Sequence, residues 1–283
     1  MPLVINTNIS SLGAQRNLAY SNTKLTGSVQ RLSSGLRVNS AKDDAAGLAV
    51  SQKLRAQIAS VSVAIRNSQD GISLSQTTEG GLNEVANILT RMRELSEQSA
   101  NGTLQDAERS SLNVEYEQLF KEVSRIANVT EFNGVKLLNG TGYDTAAGGV
   151  VLQVGFQNTV DDTITLAFSG LSASSDLASS IGLAGDINTQ TGAQSNLTQI
   201  DSAIAQVASA RGILGAVMNR LESTIQNLRV THENLSAADS AIRDADFAFE
   251  ASTFIRNQIL VQAGTSMVAQ ANMLPQVALT LLQ

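Results

Sequence analysis

The stretch that decides the fold runs from Leu197 to Leu228, LTQIDSAIAQVASARGILGAVMNRLESTIQNL. Apolar residues recur along it at steps of three and four, and only Arg211 interrupts them. This spacing places the apolar side chains on one face of a helix, where neighbouring helices can cover them. These positions are Leu197, Ile200, Ile204, Val207, Leu214, Met218, Leu221, Ile225 and Leu228. We therefore predict a long helix that packs lengthwise against others.

Two further stretches show the same kind of repeat. Near the start of the chain, Leu18, Leu25 and Leu32 recur every seven residues, and Val29 and Leu36 occupy the complementary position. A longer pattern extends from about Ala45 to Ser99, where Asn101-Gly102 ends it. A short return helix follows, and a last amphipathic segment ends the chain. Helices of this length are not stable alone in water and need neighbours along their length.

The middle of the chain has a different pattern. The segments LQVGF (152–156) and TITLAF (163–168) alternate between apolar and polar residues, which is typical of a β-hairpin. The fold class predicted is thus mainly α: an elongated antiparallel helical hairpin or bundle, with coiled-coil helices at both termini and a small β-hairpin region in the middle. We predict three domains. They comprise residues 1–40 with 237–283, residues 41–140 with 190–236, and residues 141–189.

Composition narrows the class of partner. The net charge is -6 and the charged fraction is 16%, so there is no basic surplus to bind nucleic acid. No apolar stretch reaches the length of a membrane span, so we expect no membrane insertion. Between Ala251 and Gln283 the only charged residue is Arg256. The amphipathic end of the chain is therefore too polar for a membrane and too uncharged to stay in water without a partner.

The sequence offers no set of catalytic or metal-binding residues. There is no cysteine and a single histidine, His232, which argues against a zinc site or a Ser-His-Asp triad. Asp43-Asp44 could be an acid-base pair, but acidic residues also favour the N-terminal end of a helix, and we prefer this second interpretation. Asp244 and Asp246 are interpreted in the same way. We expect no enzyme activity, no cofactor and no metal.

Long blocks at both ends of the chain resemble bacterial flagellin, the subunit of the flagellar filament. The blocks are RLSSGLRVNSAKDDAAGLAVSQKLRAQ (31–57), RMRELSEQSANGT (91–103), EFNGVKLLNG (131–140), NLSAADSAIRDADFAFEASTF (234–254) and QILVQAGTSMVAQAN (258–272). They cover about the first 140 and the last 90 residues. The middle of the chain matches nothing specific.

The resemblance implies an extracellular subunit that polymerises with itself into a helical filament for motility. The terminal helices would pack in the filament core, through Leu18, Leu25, Leu32, Gly264, Met267, Leu274 and Leu281. It also implies unfolded export by the flagellar type III route, an export chaperone on the C-terminal segment, and contact with filament cap and hook-junction proteins. We expect the termini to be largely disordered in the monomer and to order on polymerisation, because interface burial can offset the ordering cost.

The resemblance further implies recognition by Toll-like receptor 5, with Arg91, Leu95 and Glu115 at the matching positions. The alternative is that these are ordinary residues of the helical rod. A hook-filament junction protein of the same family is the main rival function. A flagellin with a metalloprotease insert would need two histidines in an HExxH motif, and a membrane-active adhesin would need a basic tail.

Overall fold

A computed structural model describes residues 7–139, 149–166 and 186–280, with side chains up to residue 273. The described parts contain five α-helices: α1 (Ile9–Ser34), α2 (Ala45–Ala100), α3 (Asp106–Val129), α4 (Gln190–Arg243) and α5 (Phe247–Thr280). The strands are β1 (Glu131–Phe132), β2 (Val135–Lys136), β3 (Val150–Gln153) and β4 (Thr163–Leu166). The prediction of a mainly α protein with a small β-hairpin in the middle is confirmed.

The chain divides into two compact units. The terminal unit comprises Met1–Ile58 and Glu233–Gln283, and the central unit comprises Ala59–His232. Each unit therefore takes one segment from each half of the chain, as the predicted pairing of N-terminal and C-terminal segments requires. The three predicted domains remain a prediction.

The core of the central unit forms between α2, α3 and α4. On α4 the buried positions follow the predicted repeat, with Ile200, Val207 and Leu214 followed by Leu221, Ile225 and Leu228. Met218 is only partly buried, and its neighbour Val217 takes the core position instead. The largest side chain in this core is Tyr116 of α3, which is 1% exposed. Burying such side chains contributes about 25 cal/mol for each Å² of apolar surface removed from water.

Small hydroxyl residues line part of the buried face of α2. The hydroxyl of Ser68 donates to the carbonyl oxygen of Ala64, four residues earlier in the same helix. Ser75, Thr78 and Ser96 donate in the same way to the carbonyls of Gly71, Leu74 and Met92. All four residues are fully buried. Each hydroxyl is thus satisfied within α2 and needs no partner on the neighbouring helices.

The turn between α2 and α3 is held by a buried arginine. The guanidinium of Arg109 donates from Nη2 to the carbonyl oxygens of Asn101 at 2.9 Å and Leu104 at 3.0 Å, and from Nη1 to that of Ser99. These carbonyls lie at and beyond the end of α2, where the helix offers them no partner of its own. Arg109 therefore fixes the point at which α3 turns back along α2.

The β-hairpin packs on α2 through a glycine. Strands β3 and β4 are antiparallel, and Leu152 pairs with Ile164 across the ladder. A Cβ atom on Gly71 of α2 would lie 2.3 Å from Leu152 Cδ1, so only glycine leaves room for this leucine. The predicted hairpin is confirmed, although Phe156 lies in the loop beyond β3 and Phe168 lies outside the described residues.

Candidate assembly surface

Helices α1 and α5 of the terminal unit pack along each other. In each helix the residues that are buried or half-buried follow a strict alternation of three and four, which is the spacing of a coiled coil. In α1 they are Ser11, Ala14, Leu18, Ser21, Leu25, Ser28 and Leu32. In α5 they are Glu250, Phe254, Asn257, Val261, Gly264, Val268 and Ala271. We call these fourteen residues the seam.

The fully buried members of the seam are small or polar, not large and apolar. They are Ser11, Ser28, Glu250, Asn257 and Ala271. The sequence predictions missed the polar residues among them. The signal was nevertheless present, because Glu250, Asn257, Gly264 and Ala271 are seven residues apart.

Hydrogen bonds tie the two helices together at separate heights. At the start of α1, Asn8 Nδ2 donates to the carbonyl oxygen of Ala271 at 2.7 Å, and the Ser11 hydroxyl donates to Asn272 Oδ1 at 2.6 Å. Further along, Asn257 Nδ2 donates to the Ser28 hydroxyl at 3.3 Å. A shift of one helix along the other would break all three bonds. The polar seam therefore fixes the register of the pair.

A charged pair closes the seam near the end of α1. Arg31 Nη1 lies 3.7 Å from Glu250 Oε2, and Glu250 is 5% exposed. Its other oxygen, Oε1, is buried and accepts no hydrogen bond within the described part of the chain. A buried carboxylate with one unsatisfied oxygen costs free energy. This position consequently adds specificity to the pairing and little stability.

One close approach between the helices depends on a glycine. A Cβ atom on Gly264 would lie 3.0 Å from Leu18 Cδ1 and 3.8 Å from Leu18 Cα. Of the residues predicted to pack in a filament core, Leu18, Leu25, Leu32 and Gly264 lie in the seam within one chain. Their role in a filament stays a prediction.

The large apolar side chains of this helix pair point away from the seam. Ile259 and Met267 on α5 are 60% and 61% exposed. The other exposed members of this outer apolar surface are Ile9, Leu12, Tyr20, Val29, Phe247, Phe249, Ile255, Leu260 and Met273. Val29 was predicted to share the seam with the leucines, and this is wrong, because its side chain is 47% exposed. Leu274 lies in α5, but its side chain and the whole of Leu281 lie outside the described residues.

The acidic pairs near the helix starts are structural. Asp43 Oδ2 accepts from the Ser40 hydroxyl at 2.9 Å and from the Ser40 amide at 3.0 Å, and these bonds lower the pKa of Asp43. Asp44 Oδ1 accepts from the Gly47 amide at 2.8 Å, and Asp246 Oδ1 accepts from the Ala248 amide at 2.9 Å. These carboxylates satisfy amides at the starts of α2 and α5, as the preferred interpretation required.

The two segments that join these helices are also tied together. The amide of Arg37 donates to the carbonyl oxygen of Arg243 at 2.7 Å, and the amide of Ala245 donates to that of Gly35 at 3.0 Å. Leu36 and Asp244 form a β-bridge between them. Because the chain leaves α1 and enters α5 at this bridge, the two helices start from a fixed relative position.

The residues predicted to contact an immune receptor lie in the central unit. Arg91 Nη2 lies 2.8 Å from Glu115 Oε1, and both side chains are about half exposed, at 50% and 46%. Hydrogen bonds to Glu115, and then to Glu94, raise the pKa of Arg91 above its ordinary value. Leu95 is 1% exposed and packs in the core. The receptor prediction therefore depends on Arg91 and Glu115.

The described residues contain no group of three or more His, Cys, Asp or Glu side chains placed to hold a metal ion. His232 is half-buried on α4. Among the helices that the structure describes, none combines the length and the apolarity needed to cross a bilayer.

A helix pair with a polar seam and an apolar outside defines a class of protein: the subunit of a larger assembly, since an uncovered apolar surface of this kind marks an interaction site. The comparisons with known proteins identify the assembly. Residues 5–142 match the family described as bacterial flagellin N-terminal helical region, and residues 197–282 match the bacterial flagellin C-terminal helical region.

Two curated relatives match along their whole length. The chain is 47% identical over 281 residues to a flagellin of Halalkalibacterium halodurans, covering 99% of this chain and 100% of the relative. It is 41% identical over 286 residues to the flagellar filament 30.7 kDa core protein of Treponema maltophilum, with coverage of 99% and 100%. Among solved structures, a putative flagellar hook-associated protein from Vibrio parahaemolyticus shares the fold. This similarity has a TM-score of 0.55 and an identity of 19%, and it covers 71% of this chain and 100% of that one.

The chain belongs to the bacterial flagellin family. Members of this family are structural proteins, not enzymes, and they assemble with copies of themselves. The chain is accordingly a structural subunit of the flagellar filament.

Proposed function

We propose that copies of this chain polymerise through the outer apolar surface of α1 and α5, so that the terminal unit forms the filament core. The observation that carries this proposal is the inversion of polarity across the helix pair. The buried seam residues are small or polar, and Ile259, Met267 and nine other large apolar side chains face outward. Neighbouring copies that cover this surface gain about 25 cal/mol for each Å² of apolar area that they bury.

Replacement of Ile259 by aspartate tests the proposal. Ile259 is 60% exposed and lies outside the seam, so Ile259→Asp should leave the helix content of the monomer unchanged. It should stop elongation from filament fragments, because a buried and unpaired carboxylate at the new interface costs several kcal/mol, on the order of 3 to 5. Elongation is measured by light scattering and electron microscopy.

Gln262→Asp is the matched control, since Gln262 is exposed on the more polar side of the same helix. It introduces the same charge three residues away and should elongate nearly normally. If Ile259→Asp elongates as fast as Gln262→Asp, the outer apolar surface is not the assembly surface.

Family resemblance also supports proposals about how the chain reaches the filament. We propose export by the flagellar type III route to an extracellular filament, with an export chaperone bound to the C-terminal segment. Addition of subunits would then occur beneath a cap protein, on a base of hook-junction proteins. Deletion of residues 237–283 should abolish capture of the chain by its chaperone. Retained capture would contradict the assigned chaperone segment.

We further propose that the monomer is a ligand of Toll-like receptor 5, through Arg91 and Glu115. The half exposure of both side chains supports this proposal, because a partner can reach them without rearrangement. The double variant Arg91→Ala/Glu115→Ala should lose most activity in a receptor reporter-cell assay. Full activity of the correctly folded double variant would remove the proposal.

A junction protein between hook and filament is the alternative function within the same family. The fold similarity to a putative hook-associated protein is the observation that keeps it open, although at 19% identity this similarity extends to the fold alone. Seeded growth separates the two functions. A filament subunit extends seeds into long filaments, whereas a junction protein adds only a short terminal layer.

A further inference from the structure

The central unit has a groove that the terminal helices do not explain. It has a volume of about 640 Å³ and lies between α4 and the loop that follows β3. Its apolar floor is formed by Val154, Ile164 and Leu228, all of which are buried. Asn219, Ser223 and Asn227 line it from α4 at intervals of four residues. A groove with an apolar floor and polar walls is typical of a site for a small protruding segment.

Two opposite charges at this groove have no partner. Arg220 on α4 and Asp161 on the loop both line the groove and are exposed. Neither side chain makes a hydrogen bond or an ion pair with any residue that the structure describes. The adjacent Asp162 differs, because its Oδ2 accepts from the Thr159 hydroxyl at 2.9 Å and from the Gln157 amide at 3.1 Å. Asp162 holds the loop in shape, and Asp161 is left available.

The same loop carries an exposed apolar tip. Val160 is 88% exposed, the highest value among the large apolar side chains described. It begins a single turn of 3-10 helix, Val160–Asp162, which the bonds to Asp162 stabilise. An apolar side chain on an ordered protruding turn loses little conformational entropy when it is buried by a partner.

We propose that the Val160–Asp161 tip of one copy docks in this groove of a neighbouring copy, with Val160 against the apolar floor and Asp161 paired with Arg220. A second copy is the occupant that fits, because the tip and the groove are complementary in charge and polarity and both lie on every chain. Contact between different patches of identical subunits propagates into an open filament. The inference rests on the proposed function, since it assigns a second contact within the same polymer.

Disulfide trapping tests the contact directly, because the chain contains no cysteine of its own. Chains carrying Val160→Cys are mixed with chains carrying Ser223→Cys, assembled from seeds and exposed to a mild oxidant. A covalent dimer of one chain of each type is expected. Val114→Cys mixed with Ser223→Cys is the matched control, since Val114 is an exposed valine of α3 that does not line the groove. If the Val160 mixture gives no more dimer than the Val114 mixture within intact filaments, the inference is wrong.

Charge reversal supplies a second readout that needs no cysteine. Asp161→Arg and Arg220→Asp should each slow seeded elongation about five-fold, because each places like charges in contact between copies. The double variant Asp161→Arg/Arg220→Asp restores the pair and should recover most of the rate. A double variant as slow as either single variant would overturn the inference. Failure of the unmodified chain to extend seeds would instead contradict the proposed function.

Discussion

At the scale of the residue, Gly264 is the position where a side chain is least tolerable in the terminal unit. A leucine at this position would overlap Leu18, whose Cα would lie only 3.8 Å from the first added atom. We expect Gly264→Leu to destabilise the α1–α5 pair by about 1 to 3 kcal/mol and to give little or no secreted filament. The helix content of the central unit should stay intact.

The control for this variant is Gly80→Leu, since a Cβ atom on Gly80 of α2 meets nothing within 4 Å. Circular dichroism reports the fold of both variants, and seeded growth reports their assembly. Normal filaments from Gly264→Leu would show that the seam tolerates bulk and that the close approach to Leu18 is dispensable.

The buried phenol of Tyr116 makes the central unit sensitive to alkaline pH. Burial raises the pKa of Tyr116 to about 12, whereas the unfolded chain ionises near the ordinary value of 10. The folded state therefore holds this proton more tightly, and its full contribution to stability is present below pH 10 and is lost as the pH rises toward 12. Between these values the free energy of unfolding should fall by about 1 kcal/mol for each pH unit.

Tyr116→Phe removes this titration. Urea midpoints measured from pH 9 to pH 11.5 should decline more steeply for the unmodified chain than for the variant. Parallel declines in the two proteins would show that Tyr116 does not set the alkaline limit.

At the scale of the element, the α1–α5 pair exchanges stability for register. Asn257 is 4% exposed in the seam and donates to Ser28. Replacing it by leucine should raise the stability of the terminal unit by about 1 kcal/mol, because an apolar side chain packs better in a seam position. The loss of the polar contact should also allow the helices to pair in shifted registers.

A disulfide between Ser11→Cys and Asn272→Cys reports the register, because the side chains of these residues are hydrogen-bonded at 2.6 Å. In the Asn257→Leu background the melting temperature should rise and the yield of this disulfide should fall. An undiminished yield would assign the register to Ser11, Asn8 and the β-bridge alone.

The elements also show how far sequence reasoning extends. The repeat of α4 predicted most of its buried positions, because this helix has one apolar face and one partner core. In α1 the same reasoning assigned Leu18, Leu25 and Leu32 to the seam but added Val29, which faces outward. A helix that meets one partner inside its chain and others outside has two apolar lines, and spacing alone does not say which line meets which partner. The polar seam residues were missed because apolarity was the only signal used.

At the scale of the whole molecule, the distribution of polarity predicts a difference between free and assembled chains. The terminal unit exposes most of its large apolar side chains, so its helices gain their main burial from other copies. Amide hydrogen exchange should be fast in residues 7–34 and 247–280 of the monomer and slow in filaments. The core of the central unit should be protected in both states. Strong protection of the termini in the monomer would contradict this account.

The hydroxyl residues on the buried face of α2 have a mechanical consequence. Since Ser68, Ser75, Thr78 and Ser96 all bond within their own helix, none of these bonds joins α2 to α3 or α4. Small axial displacements of α2 past its neighbours therefore break none of the four, although pulling the helices apart would expose the apolar core. The central unit is stiff against separation and compliant in shear along its helices, which is the combination that a fibre needs when bending lengthens one of its sides.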